Sequence, residues 1–188
     1  MIILASNSPR RQELLKLICE DFLVEASDID EILQEGLSIE KALENLAYNK
    51  ALPIFKKHME DIVIGADTIV FFKDQILGKP KSRDNAIEIL QLLSNNVHHV
   101  ITGISIISKE ASINFNVVTE VEFYPLTSED IISYVDECSP YDKAGAYAIQ
   151  DKAAVFVKGI KGCYYNVMGF PVARINRELN NIIKLRKA

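Results

Sequence analysis

The stretch Ile2-Ile3-Leu4-Ala5-Ser6-Asn7-Ser8-Pro9-Arg10-Arg11 decides how this chain is read. A short apolar run with strand character ends in a small polar loop that leads directly into a helix start. Ser8 suits the N-cap and Pro9 the first helical position, where its missing N–H costs nothing. Leu14, Leu15, Leu17 and Ile18 then supply a helical apolar stripe. Such a strand-loop-helix junction aims backbone N–H groups and the positive dipole end at whatever lies before it. Arg10 and Arg11 oppose that dipole, since cations are favoured at the other helix end. Two readings stay open here: an anion such as a phosphate chain shared by the arginines, or a solvated basic helix start.

Working outward, the 188 residues are expected to form one domain spanning 1–188, long enough to bury roughly 70% of the unfolded surface. A net charge of -5 argues against a nonspecific nucleic-acid binder or a membrane-surface protein, so any anion site must be a local concentration of cations. The apolar segment Ile2 to Ala5 is far short of a signal-peptide core. The run Ile62 to Phe72 is too short to cross a bilayer and carries Asp67. Cys19, Cys138 and Cys163 are odd in number and lack ligand spacing, which suggests free thiols in a reducing cytoplasm. His58, His98 and His99 form no ligand set by spacing either.

Strand and helix signals alternate along the chain. Phe22 to Glu25 reads as a strand, followed by the acidic segment Asp28-Ile29-Asp30-Glu31. Ser38 caps a helix carrying Ala42, Leu43, Leu46, Ala47 and Tyr48, which Pro53 should end or kink. Ile62-Val63-Ile64 reads as a buried strand running into Gly65-Ala66-Asp67-Thr68 and Ile69 to Phe72. Lys73-Asp74-Gln75 suggests a hairpin turn, returning through Ile76-Leu77-Gly78. Ser82 opens the next helix, and two long strands follow over 97–108 and 112–124. The second strand alternates at Val117, Thr119, Val121 and Phe123. Thr127 with Asp130 starts another helix, Ala153 to Val157 reads as a strand, and Pro171 opens the last helix. The expected fold is α/β: a mixed sheet with several antiparallel strands and flanking helices.

Asp67 lies between two apolar runs, where an unpaired carboxylate would cost several kcal/mol. It must meet a cation, backbone donors or a metal. The alternatives are a site at a strand end or a turn carboxylate capping the Gly65-Ala66 bend. Lys79, in Gly78-Lys79-Pro80, belongs to no Walker A pattern and can also be read as an exposed loop lysine. Lys50 has an equally simple reading as a charge favoured at a helix C-terminus. Glu31, with Asp28 and Asp30, could help hold a divalent ion or simply be part of a solvated loop. Gln150 closes the small-residue segment 142–150 and could read a base edge through its paired donor and acceptor, or the segment could be a packing turn. Together, Arg10, Arg11, Lys50 and Lys79 with Glu31 and Asp67 form an inventory suited to metal-assisted chemistry on a polyphosphate.

The ordered series of motifs resembles the Maf family, nucleoside triphosphate pyrophosphatases of the inosine-triphosphatase-like fold. The matching pieces are Leu4 to Arg11, Leu46-Ala47 with Lys50-Ala51, Ile64 to Thr68, and Gly78-Lys79-Pro80. Thr102-Gly103, Asp142 to Tyr147 with Ile149-Gln150, and Asn166 to Pro171 complete the series, which covers almost the whole chain. The resemblance implies a mixed-sheet domain with a central cleft. It also implies hydrolysis between the α- and β-phosphates with a divalent cation, Mg²⁺ or Mn²⁺. Asp67 matches the family's proton acceptor. Ser6, Arg11, Lys50 and Lys79 match phosphate-handling positions, with Arg11 and Lys79 serving catalysis, and Glu31 with Asp67 matches the metal-binding positions. Arg10, Thr68 and Gln150 side with the members that prefer dTTP and UTP over methylated guanine nucleotides. Ala148 and Asp151 depart from the pattern, which often has glycine there. The resemblance further implies a cytoplasmic enzyme that cleanses the nucleotide pool, with a homodimer as its assembly and neither nucleic acid nor membrane as partner. The alternative is a nucleotide-binding regulator of cell division or septum formation without turnover.

Overall fold

A computed structural model describes residues 1–187, leaving only the last residue of the expected 1–188 domain outside it. The strands are β1 (Ile2–Leu4), β2 (Phe22–Val24), β3 (Ile62–Phe72), β4 (Gln75–Leu77), β5 (Val97–Ile107), β6 (Ser112–Phe123) and β7 (Val157–Lys161). The helices are α1 (Pro9–Lys16), α2 (Ile39–Lys57), α3 (Arg83–Leu93), α4 (Ser128–Cys138), α5 (Tyr164–Val167) and α6 (Val172–Lys187). The sheet order is β2-β1-β3-β5-β6-β7, with β4 paired to β3. β1 runs parallel to both β2 and β3, whereas β3–β4 and β6–β7 are antiparallel. The mixed α/β sheet expected from the sequence is therefore observed. None of the described helices is long and apolar enough to cross a membrane.

The chain divides into two compact units, each assembled from separated segments. The first comprises, among the described residues, 1–67, 102–117 and 169–187. Its register places Ile2, Ile3 and Leu4 opposite Phe22, Leu23 and Val24 on one side and Ile62, Val63 and Ile64 on the other. Ile3, Ala5, Ala51, Ile54, Val63 and Ile107 form a buried cluster there, with Tyr48, Leu52 and Phe55 packed on it. α2 lies on the strands at two glycines. A β-carbon at Gly65 would meet the Ala47 carbonyl oxygen at 2.1 Å, and one at Gly103 would meet that of Leu43 at 2.3 Å. Leu43 and Ala47 are one helical turn apart, so each carbonyl rests on a strand position that lacks a side chain.

The second unit comprises residues 68–101 and 118–168. β3 returns through a two-residue turn, Lys73-Asp74, with φ of 46° and 62°, as a hairpin matching strand twist requires. Ser82 caps α3 by accepting from the Asn85 N–H, and Thr127 with Asp130 forms a reciprocal capping box on α4. The core is aromatic: Phe123, Tyr134, Tyr147 and Phe156 meet edge to face, with His98 buried among them.

Several local expectations are corrected. Pro53 does not end its helix, because α2 continues to Lys57 with Ala47, Ala51 and Ile54 buried. Ser8 occupies the N-cap of α1 but its hydroxyl makes no capping bond; its N–H donates instead to Ser6 Oγ at 3.3 Å. α1 stops at Lys16, which leaves Leu17 62% exposed outside the apolar stripe. Residues Lys152–Phe156 form a 3-10 turn, and the strand expected there begins only at Val157.

Candidate active site

Five of the residues singled out from sequence meet in the first unit. Ser6 follows β1, which is tied to β3 by the Ala5 N–H donating to the Ile64 carbonyl at 2.8 Å. Its buried hydroxyl accepts from Arg11 Nη1 at 3.1 Å, and Arg11 Nε donates to the Gly169 carbonyl at 3.1 Å. The guanidinium is thereby fixed at two points on one fork. Burial pulls its pKa below the usual value, opposed by the carboxylates of Asp67 and Glu31, while Arg10 adds to the lowering. The first-turn arginine of the opening junction thus shares its field with two acidic residues of the same unit.

Asp67 sits inside β3 rather than at a strand end or in a bend, because Gly65 is in the strand to admit α2 and not to turn the chain. Two residues beyond Gly65, Asp67 lies on the same strand face. Lys50 is three residues beyond Ala47, hence nearly one helical turn along α2. The close contact at Gly65 therefore delivers Lys50 to Asp67, and its ammonium donates to Asp67 Oδ1. The same Nζ donates to Glu31 Oε1 at 2.7 Å. Lys50 and Asp67 have side chains only 10% and 14% exposed, while that of Glu31 is 58% exposed. The reading of Lys50 as a helix-end charge is superseded, since α2 runs on to Lys57. The acidic segment reaches the cluster through Glu31, while Asp28 and Asp30 are exposed.

The second unit carries Thr68, Lys79 and Gln150. Thr68 continues β3 and is half-buried. Lys79 is exposed just after β4, and the neighbouring Gly78 carbonyl accepts from the Gly145 N–H at 3.1 Å. That bond ties the Gly78-Lys79-Pro80 loop to the small-residue segment. Gln150 projects from a turn in which the Asp151 N–H donates to the Ala148 carbonyl at 3.2 Å. Asp151 has a φ of -110° and Ala148 is not among the positive-φ residues, so this turn needs glycine at neither position. Asp151 Oδ1 anchors the turn by accepting from the Ala153 N–H at 3.0 Å and Tyr134 OH at 3.3 Å.

Sequence reasoning did not find the part played by Gly65 and Gly103, nor the buried Glu44, which accepts from Lys41 and Asn116. A glycine inside a strand pattern was the available signal for the first two. For a divalent cation, the test is whether carboxylate oxygens converge. Among the described residues no group of three or more His, Cys, Asp or Glu side chains does so. Glu31 and Asp67 do converge, on one ammonium. Two carboxylates suit a hard cation that keeps waters and takes further oxygens from substrate phosphates.

Comparison with known proteins bears on the fold and the family. A structure of a Staphylococcus aureus Ham1 protein shares the fold, with a TM-score of 0.55, 18% identity, and coverage of 96% of this chain and 98% of that one. A Geobacillus sp. (strain WCH70) protein named dTTP/UTP pyrophosphatase is 47% identical over 181 residues, or 96% of this chain and 97% of its own length. A Bacillus cereus (strain G9842) protein of the same name is 48% identical over 178 residues, covering 95% and 93%. The family model described as Maf-like protein matches residues 1–182, and with relatives this similar along nearly its full length, the chain belongs to the Maf family.

Proposed function

We propose that this protein hydrolyses nucleoside triphosphates, dTTP and UTP in preference, to the nucleoside monophosphate and pyrophosphate. The observation that carries the reading is the low-exposure pair of Asp67 and Lys50, set beside Ser6 and Arg11 in a Maf-family chain. Water attacks the α-phosphorus, the bond to the bridging oxygen of the β-phosphate breaks, and Asp67 accepts the proton from the water. A bound divalent cation, Mg²⁺ or Mn²⁺, would be held by Glu31 and Asp67 and would supply charge neutralisation and phosphate orientation. Arg11, braced by Ser6 Oγ and the Gly169 carbonyl, presents a positive charge to the phosphates without first having to be ordered. Lys50 and Lys79 add cations against the charge that builds on the leaving pyrophosphate. Arg10, Thr68 and Gln150 set the choice of base, as the family resemblance implies. The same reading takes free nucleotides as substrate and extends to a cytoplasmic homodimer, which light scattering would test.

Pyrophosphate release from a panel of standard and modified nucleotides, with and without Mg²⁺ or Mn²⁺, tests the proposal. Release of pyrophosphate from dTTP and UTP above all others, lost in Asp67→Asn with the fold intact by circular dichroism, is the expected result. Nucleotide binding without any product would instead make the protein a nucleotide-binding regulator.

A further inference from the structure

The Lys50 ammonium bonds one oxygen of Glu31 and one of Asp67 at once, the two carboxylates that would hold a divalent cation. From this geometry we infer that Lys50 is an internal stand-in for the metal, holding the cation site closed until nucleotide arrives. The inference rests on the function proposed above and deepens it.

Charge balance supports this assignment. Glu31 and Asp67 carry two negative charges, and Lys50 and Arg11, which senses both carboxylates, carry two positive ones. The two carboxylates are thus already matched by cations, with Arg10 adding further positive charge near Arg11. A divalent cation entering alone would have to displace or approach an ammonium in a site where Lys50 and Asp67 are little exposed and screening is weak. A nucleoside triphosphate changes that balance. Its phosphates give Lys50 a new anionic partner, so the lysine can leave Glu31 and Asp67, whose oxygens would then be open to a divalent cation. Lys50 then serves two partners in turn, carboxylates before binding and phosphate after. Metal and nucleotide affinities become coupled through one side chain, and the coupling is reciprocal.

The test is direct titration of the intact protein with Mn²⁺, followed by calorimetry and by the spin-resonance signal of the free ion, with no turnover required. A non-hydrolysable dTTP analogue with a carbon bridge between the α- and β-phosphates serves as the nucleotide. Wild type should bind Mn²⁺ weakly alone and roughly tenfold or more tightly with the analogue present, after subtraction of the Mn²⁺ that the free analogue binds in a protein-free titration. Lys50→Met and the milder Lys50→Gln should bind Mn²⁺ alone roughly tenfold tighter than wild type and lose most of the analogue's enhancement. Tight Mn²⁺ binding by wild type without nucleotide, unchanged by the analogue, would overturn the inference without needing any variant. Equal or weaker Mn²⁺ binding in folded Lys50→Gln would overturn it too. Absence of pyrophosphate release from the nucleotide panel would refute the function instead, and the Mn²⁺ titration reads separately from it.

Discussion

Gly65 and Ala47 are packed so closely that a β-carbon on the glycine would lie 2.1 Å from the alanine carbonyl oxygen. That contact seats α2 on β3 and carries Lys50 onto Asp67, so a residue with no side chain governs the geometry of a charged pair. Gly65→Ala must push the helix backbone away, since the oxygen it meets belongs to the main chain. Overpacking of this kind costs about 1–3 kcal/mol or more. We expect urea denaturation to show a loss of that size and kcat to fall as well, because Lys50 is carried away from Asp67 while the protein stays folded. Gly159→Ala, with nothing within 4 Å of the added carbon, is the control and should stay within about 0.5 kcal/mol of wild type.

Arg11 uses two different nitrogens on two partners, Nε on Gly169 and Nη1 on Ser6. Lysine has a single ammonium and cannot reproduce the fork. Arg11→Lys should therefore lower kcat/KM for dTTP by roughly tenfold or more, although the charge is kept. A rate within twofold of wild type would show that charge alone suffices.

His98 is fully buried, with Nε2 at 2.8 Å from Tyr147 OH. Burial, with a smaller contribution from His99, pulls its pKa down to about 3. The unfolded chain binds this proton near the ordinary value of about 6.5, and the folded chain does not until far lower pH. This contribution to stability is complete above about pH 6.5 and is lost as pH falls from there toward 3, at up to about 1.4 kcal/mol per pH unit. Denaturation at pH 7 and pH 5 should show the loss in wild type and a smaller one in His98→Phe. Equal pH dependence in the two proteins would remove His98 as the cause.

Gln150 stands on a turn anchored by Asp151 to Tyr134 and to the Ala153 N–H. Arg10→Ala and Gln150→Ala should change the ranking of dTTP and UTP against purine nucleotides. Asp151→Gly, by loosening the turn alone, should raise KM severalfold with kcat nearly unchanged. An unaltered ranking in Gln150→Ala would remove its assigned part in base choice.

Much of the fold was legible because it is written in local chemistry. Alternation along β6, the caps at Ser38, Ser82 and Thr127, and the turn expected over Lys73-Asp74-Gln75, which is tightened to Lys73-Asp74 because Gln75 already pairs in β4, all depend on neighbours in sequence. The helix does not end at Pro53 for the opposite reason: the residue's local preference to stop it is outweighed by Ala47, Ala51 and Ile54, buried along α2. The 3-10 turn over Lys152–Phe156 escaped in the same way, since a run such as Ala153 to Val157 has strand composition whatever its neighbours impose. Asp67 was recognised as needing a partner, because a carboxylate between apolar runs cannot stay unpaired. Which partner it takes was not legible, because the choice lies seventeen residues away on a helix.

The sequence by itself determined the inventory of candidate site residues, cations and carboxylates, and the family to which the chain belongs. The opening stretch from Ile2 to Arg11 already held a strand, a loop and two arginines at a helix start. Only the tertiary structure decided how they are shared out: Arg11 turns back onto Ser6 and Gly169, and Lys50 bridges Glu31 and Asp67. The reason is physical. Residue types dictate which groups must be paired, but a pair forms only where backbones approach, and here Gly65 sets that approach.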